Sequence, residues 1–225
     1  QNLNINSVKK ITKYTLTEFG NIYWPIIAGQ TVFPVQIAVK YKIPLIIWGA
    51  HQGLEQVGMF SHLSNVEMSR RYREDHDLFG SDAKELMSIK SNLSESDIFN
   101  YLYPDDKSLN SIGVRGIYLG NFIRWDPAKQ HIMMVKKFNY RTTKFKRTFD
   151  VYDHVDCFNY MNIHDLLKLY KHGYSKVTDH ACREIRHGRL TKNKAIDLVK
   201  FYEKEKIMCL NHLADWLDID LKSLN

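Results

Sequence analysis

Apolar and polar positions between residues 30 and 56 predict a helix, a strand and a polar turn, in that order. Apolar side chains recur at helical spacing from Val32 to Tyr41. Pro44 disfavours the α region for Ile43, so this helix ends before that residue. Leu45–Trp48 is then a short, wholly apolar run, as in the strands of parallel sheets that helices cover on both faces.

The polar turn after this strand, Gly49–Gln56, is a candidate functional site. Ligands of open α/β sheets bind beyond the carboxyl ends of the strands, and this turn lies at such an end. A lone histidine in a loop of this kind also commonly serves as a capping or packing residue. We predict catalytic roles for His51, Gln52, Glu55 and Gln56.

A second strand is predicted at Gly113–Ile123, and a helix follows it. Asp126 is the predicted N-cap of that helix, and Pro127 occupies its first position, where a missing N–H is tolerated. Trp125 and Asp126 therefore follow a strand in the way that the polar turn follows Leu45–Trp48.

The segments around these two strands carry weaker signals. Val8–Ile11 reads as a weak strand, and Ser94 is the predicted N-cap of a short helix that Pro104 ends. Residues 105–112 are predicted to form a loop.

The most basic stretch of the chain is Lys136–Arg147, in which Phe138, Tyr140 and Phe145 alternate with cations. Aromatic rings between cations can bind single-stranded nucleic acid. A solvated β-hairpin is the alternative, because most charged runs are simply surface.

Three short helices are predicted between residues 151 and 204. Their predicted N-caps are Asn162, Thr178 or Asp179, and Thr191, and their predicted ends are Gly173, Gly188 and Glu203. Arg183, Arg186 and Arg189 follow one another on and just after the middle helix. These arginines either hold a phosphate or pair with acidic side chains of neighbouring helices, and the residues alone leave both possibilities open.

Composition limits the class of protein but does not choose the function. The chain has 225 residues and a formal net charge of +7, which favours an anionic partner such as a nucleotide, a sugar nucleotide or RNA. Three widely spaced cysteines predict a reducing compartment, no disulfide framework and no metal site. We find no bilayer-spanning run and no secretory leader, so we expect a cytoplasmic protein without a membrane partner.

Several short motifs appear along the chain in a characteristic order. They are Gly29–Pro34, Lys42–Gly49, Trp125-Asp126, Asp156-Cys157, Ile163–Asp165, Lys171–Tyr174, Thr178–Ala181, Ile185-Arg186 and Gly188–Thr191. In this order they resemble the N-acetyl sugar amidotransferases, the WbpG/PseA-like enzymes of lipopolysaccharide and pseudaminic acid biosynthesis.

The resemblance implies an α/β fold, part of an adenine-nucleotide α-hydrolase-like parallel sheet with helices on both faces, plus a helical C-terminal region. The corresponding domains are residues 1–150, with a helical insert at 59–112, and residues 151–225. The implied reaction uses ATP to convert the acetamido group of a sugar or nucleotide sugar into an acetamidino group. Ammonia for it comes from a glutaminase subunit of the HisH/HisF-like kind.

The resemblance also assigns roles to residues. Glu55 orients or deprotonates ammonia, and His51 contacts the substrate or the adenylate. Substrate-binding residues by this resemblance are Trp125, Asp126, Lys176, Asp179 and His180. The arginines at positions 183, 186 and 189 bind phosphate.

One element of the family pattern is not found in the sequence. The phosphate loop Ser-Gly-Gly-x-Asp-Ser, which holds pyrophosphate through backbone N–H groups, would lie before Gln1. We therefore expect a C-terminal piece of an amidotransferase that is inactive alone, with ATP and Mg bound only by the intact enzyme. Uncovered apolar faces of the sheet are expected to favour a homo-oligomer.

Two other functions are compatible with the sequence. A tRNA-modifying relative with the same phosphate-loop fold is favoured by the positive charge and by Lys136–Arg147. A non-catalytic interaction module would follow if the intact gene also lacked the phosphate loop.

Overall fold

The computed structural model describes residues 3–49, 67, 69–70, 74, 78, 80–87, 92–151 and 160–220. The chain divides into two compact units. Unit 1 consists of Gln1–Gly49, Asn65–Leu119 and Asn211–Asn225, and unit 2 of Ala50–Ser64 and Gly120–Leu210. The boundary predicted after residue 150 falls within unit 2.

Two helices open unit 1. Helix α1, Ile5–Phe19, begins at Asn4, whose side chain accepts a hydrogen bond from the backbone N–H of Asn6 at 2.9 Å. It ends at Gly20, where φ is +62°, a left-handed conformation that glycine adopts readily. The predicted strand at Val8–Ile11 is therefore wrong, because the buried positions of this segment recur every three to five residues rather than every two.

Helix α2, Trp24–Lys40, confirms the helix predicted before Pro44 but begins earlier. Pro25 occupies its first turn, and Pro34 lies inside the helix. The buried side of α2 includes Trp24, Ala28 and Val32. Helix α2 thus supplies much of the apolar interior of unit 1.

Strand β1, Leu45–Trp48, pairs in parallel with strand β2, Arg115–Tyr118. The register runs from Leu45 opposite Arg115 to Trp48 opposite Tyr118. The parallel pairing is as predicted, but no larger sheet is present among the described residues. Leu45 and Ile47 are 46% and 60% exposed, so β1 is not covered on both faces as predicted. This exposure agrees with the expectation of an uncovered apolar sheet face.

Short helices complete unit 1. They are α3 (Glu95–Ile98), α4 (Asp106–Ile112), α9 (Leu210–Leu217, whose first residue belongs to unit 2) and 3₁₀ turns at Glu85–Met87, Phe99–Tyr101 and Leu119–Asn121. Ser94 is the N-cap of α3, as predicted. The loop predicted at residues 105–112 is wrong, because Asp105 caps a helix there by accepting a hydrogen bond from the Ser108 backbone N–H at 2.9 Å.

The core of unit 1 surrounds Trp24. The indole of Trp24 is fully buried, and its Nε1–H donates to the backbone carbonyl of Ser81 at 3.1 Å. The ring of Tyr101 packs against it with centroids 5.6 Å apart, and burial raises the pKa of Tyr101 to about 12. Other buried apolar members of this cluster are Ile11, Ala28, Leu78, Ala83, Leu86 and Ile98.

Asp97 joins α3 to α1. Its carboxylate accepts hydrogen bonds from the Ser7 hydroxyl at 2.7 Å, the Ser94 hydroxyl at 2.8 Å and the Lys10 ammonium at 3.0 Å. Despite the opposing effect of burial, these donors, led by Ser7, hold the pKa of Asp97 well below its ordinary value. The ionised form is therefore the one that the folded state stabilises.

Acidification is expected to destabilise unit 1 through Asp97. A carboxyl whose pKa is lowered on folding stabilises the fold fully above its unfolded pKa and loses that contribution as the pH falls towards the folded pKa. We expect the free energy of unfolding to drop by about 1–3 kcal/mol from this residue as the pH falls from about 5 to about 2. Urea unfolding of Asp97→Asn should show a flatter pH profile. Exposed Glu95→Gln on the same helix is the control, and an equal flattening there would contradict this assignment.

Unit 2 is largely helical. Its helices are α5 (Pro127–Phe138), α6 (Met161–His172), α7 (Lys176–Arg186) and α8 (Lys192–Tyr202). The predicted caps Asp126 and Thr191 are confirmed, as is the end of α6 at Gly173. Helices α6 and α7 begin at Tyr160 and Ser175 instead of the predicted caps.

The predicted β-hairpin at Lys136–Arg147 is not formed. Lys136–Phe138 belong to α5, and residues 139–147 have no regular secondary structure. Among the described residues, no single helix has the length and apolar character to cross a bilayer, and α1 with α2 meets that test only as a pair bent by 115°.

Candidate functional site

A row of alternating charges runs through unit 2 from its interior to its surface. The Nη2 atom of Arg183 donates to Asp150 Oδ1 at 2.5 Å, and its Nε atom donates to Glu184 Oε1 at 3.0 Å. Glu184 also accepts from Arg189, at 2.5 Å from Nε. Arg189 in turn contacts both carboxylate oxygens of Asp126, at 3.0 and 3.1 Å from Nη1.

The inner end of this row is buried. The side chains of Arg183 and Asp150 are 1% and 0% exposed. Burial of two unpaired charges would cost several kcal/mol, so each must keep its partner in the folded state. This end of the row fixes the position of helix α7.

Asp126, at the outer end of the row, both caps a helix and forms an ion pair. Asp126 begins helix α5 by accepting from the Lys129 backbone N–H at 3.4 Å, and it pairs with Arg189. Partial burial alone would raise the pKa of Asp126, but the Lys129 amide and Arg189 together lower it. The neighbouring His187 has a lowered pKa because of burial and the charge of Arg189.

A second buried ion pair connects three segments of unit 2. Arg147 Nε donates to Asp165 Oδ2 at 2.7 Å, and its Nη1 donates to the carbonyls of Glu203 and Glu205. The other Asp165 oxygen accepts from the backbone N–H of Lys176 at 2.6 Å. Asp165 thereby caps helix α7 from a position in α6.

Two further polar contacts flank this pair. The His180 Nδ1 atom lies 2.7 Å from the Thr148 hydroxyl, and both residues are buried. Asp179 forms an ion pair with Lys168, whose ammonium lies 4.6 Å from the centre of the Tyr174 ring. These contacts make Asp179 and His180 part of the packing between α7 and its neighbours.

The pKa of His164 is strongly shifted. Burial, together with the positive charges of Lys176 and Lys168, lowers its pKa to about 3. The imidazole is therefore neutral at physiological pH and adds no charge next to these two lysines.

Comparison with known families identifies this region. Residues 120–225 match the sequence model of the family described as "LPS biosynthesis protein WbpG-like, C-terminal domain". Over this stretch the chain is similar to WbpG-like C-terminal domains. The resemblance inferred from the motifs is thus confirmed for the C-terminal part of the chain. No curated protein matches the sequence.

The matched stretch begins where the main segment of unit 2 begins, at Gly120, and its last residues from Asn211 belong to unit 1. Both ion-pair systems lie within the matched residues. The residues that match the family and the buried ion pairs therefore lie in the same part of the molecule.

The structure brings together some of the predicted site residues in this domain. Asp126 and Arg189 form a pair, and Trp125 lies next to Asp126 and is partly exposed. Lys176 begins helix α7, and Arg186 lies exposed at its end. Whether these residues bind a substrate or phosphate stays a prediction.

Arg183 and Arg189 follow the second of the alternatives that the sequence left open, pairing with acidic side chains of unit 2. With 1% of its side chain exposed, Arg183 has no surface for a dissolved phosphate. The predicted catalytic residues His51, Gln52, Glu55 and Gln56, and the motif Asp156-Cys157, lie outside the described residues.

Sequence reasoning missed the carboxylates of this network. Asp150 and Glu184 were not singled out, and Asp165 appeared only as the last residue of a motif. Arg147 appeared only as the end of a basic run, although it is buried against Asp165. Among the residues that the structure describes, no group of three metal-ligating side chains comes together.

Proposed function

We propose that this chain serves an ATP-dependent amidotransferase, which converts the acetamido group of a sugar into an acetamidino group during synthesis of a bacterial surface glycan. The observation that carries the proposal is the match of residues 120–225 to a WbpG-like lipopolysaccharide biosynthesis domain. The ordered motifs elsewhere in the chain support the same assignment.

The proposed reaction has two steps. The acetamido oxygen attacks the α-phosphorus of ATP, so an O–P bond forms and pyrophosphate leaves. Ammonia then adds to the activated carbon, AMP departs with the former amide oxygen, and loss of a proton leaves the amidine. Activation is needed because an amide carbon is a weak electrophile and its oxygen is a poor leaving group.

The outer end of the charge row suits a sugar nucleotide. The Asp126 carboxylate can accept hydrogen bonds from sugar hydroxyls, and Trp125, its neighbour in the chain, is partly exposed. Arg189 keeps Asp126 ionised and in place. Exposed Arg186 is the arginine that we assign to phosphate, and buried Arg183 is a positioning residue.

The activity can be tested without the ammonia-supplying partner. The intact protein is incubated with MgATP, ammonium chloride and a panel of nucleotide-linked N-acetyl sugars. We expect AMP release that depends on both sugar and ammonium, and a product whose mass differs by the exchange of oxygen for NH. Sugar-dependent ATP–pyrophosphate exchange without ammonium would report the first step alone. AMP release that needs tRNA instead of a sugar would contradict the proposal.

Substitution of Arg189 tests the role of the outer pair. Arg189→Met should raise KM for the sugar nucleotide by about ten- to hundredfold, because the charge-assisted contact that holds Asp126 in place contributes about 1.5–3 kcal/mol. Exposed Lys192→Met is the matched control and should leave KM unchanged. Supply of ammonia by a glutaminase is tested by replacing ammonium with glutamine and the partner subunit.

A further inference from the structure

Helix α5 has an apolar side that the described residues of unit 2 leave exposed. No residue of this 12-residue helix is buried. Ile132 and Phe138 are 52% and 66% exposed, and Met133, Met134 and Val135 are also exposed. A soluble domain normally buries such a side, and an uncovered one indicates a binding surface.

Most of the apolar residues of α5 lie on a different side of the helix from its lysines. Ile132, Val135 and Phe138 are three residues apart, so they share one side of the helix with Met134. Lys129 and Lys136, seven residues apart, and Lys137 project on the other side, where Met133 lies between them. The helix is therefore amphipathic, with cations along the border of an exposed apolar strip.

The segment around α5 is also free of acidic residues. No Asp or Glu occurs between Pro127 and Phe149. Its exposed cations are Lys129, Lys136, Lys137, Arg141, Lys144 and Lys146. Within the part of the chain that the structure describes, Lys136, Lys137, Arg141 and Lys144 form no ion pair. Arg147 does not belong to this set, because it is buried against Asp165.

We propose that Pro127–Lys144, here called the α5 surface, binds the surface of an anionic lipid bilayer. Helices of this kind lie in the membrane interface, with the apolar side among the acyl chains and the lysines at the anionic headgroups. Such binding needs no bilayer-spanning helix. The expectation of no membrane partner depended on the lack of a bilayer-spanning segment. It does not apply to binding at the membrane surface.

The pattern fits a bilayer better than RNA. An RNA strand would contact the cations and stack on Phe138 and Tyr140, but it would leave the aliphatic side chains of α5 in water. A bilayer takes up both kinds of side chain at once. The absence of acidic residues along the segment complements a uniformly negative surface.

Vesicle flotation of the full chain tests the proposal. We expect binding to vesicles that contain phosphatidylglycerol and no binding to vesicles of phosphatidylcholine alone. Lys136→Glu with Lys137→Glu should lower the partition coefficient by at least about tenfold, since each cation near the membrane surface contributes about 1 kcal/mol to the free energy of binding. Ile132→Ser with Phe138→Ser should weaken it by a similar factor through loss of apolar insertion.

Matched variants elsewhere in the chain distinguish binding by the α5 surface from effects of net charge or of exposed apolar side chains in general. Lys192→Glu with Lys194→Glu carries the same charge change on α8, and Phe99→Ser removes an aromatic ring that is 70% exposed in unit 1. Both controls should bind vesicles like the unsubstituted chain. Circular dichroism of every variant checks that it is folded.

Several results would overturn the proposal. One is failure of the unsubstituted chain to float with anionic vesicles, and another is flotation of the α5 variants to the same extent as the controls. Binding of RNA with a steep salt dependence, without vesicle binding, would assign the surface to nucleic acid. Concentration-dependent dimerisation that Phe138→Ser abolishes, without vesicle binding, would assign it to a second copy of the chain.

Discussion

Replacement of Arg183 by methionine is expected to lower the free energy of unfolding of unit 2 by about 3–5 kcal/mol. The guanidinium is almost fully buried and donates to Asp150, which is also fully buried. Methionine fills a similar space but leaves the Asp150 carboxylate in the interior without this cation. Because breaking a buried pair leaves an uncompensated charge, the loss is far larger than that of a surface ion pair.

Native-state hydrogen exchange of peptides from Lys176–Arg186 measures this effect within unit 2. The control is Arg186→Met, an exposed arginine on the same helix, for which we expect a change within about 0.5 kcal/mol. A double variant, Arg183→Met with Asp150→Leu, should recover a substantial part of the loss, since it removes both charges. Equal effects at Arg183 and Arg186 would show that the buried pair does not stabilise the fold.

Replacement of Asp165 by asparagine is expected to have an effect of similar size, about 3–5 kcal/mol. Asp165 balances the buried Arg147 guanidinium and accepts the Lys176 backbone N–H that begins helix α7. Asparagine keeps the shape of the side chain but removes its charge, and only one of its two terminal atoms is an acceptor. Both the ion pair and the cap of α7 are therefore weakened by one substitution.

The control for this variant is Asp197→Asn, an exposed aspartate on α8. Hydrogen exchange should increase first in the initial turn of α7 in Asp165→Asn and stay unchanged in Asp197→Asn. Faster exchange confined to α8 in the Asp165 variant would contradict the capping role of this carboxylate.

Several features that depend on residues close together in the sequence were predicted correctly, whereas some that depend on distant residues were not. Asp126 before Pro127 marks the start of α5 by contacts within one turn, and the structure confirms it. The start of α7 depends on Asp165, eleven residues away from Lys176, so no local pattern could show it. Strand β1 was predicted because a short apolar run after a helix is a local signal too.

The candidate site was less predictable than the fold. Three arginines close in sequence looked equivalent, but Arg183 is buried and Arg186 is exposed. Their difference arises from Asp150, which is 33 residues from Arg183 in the chain. A sequence shows how many cations a helix carries, whereas the tertiary fold decides which of them are buried.

The alternating charges of unit 2 also restrict which substitutions this domain can accumulate during evolution. A single substitution at Asp150 or Arg183 leaves an unpaired charge in the interior. Simultaneous replacement of both by apolar residues does not. Arg147 and Asp165 form a second buried pair of this kind. Natural variation at these positions should therefore be correlated, with each pair either kept or exchanged together.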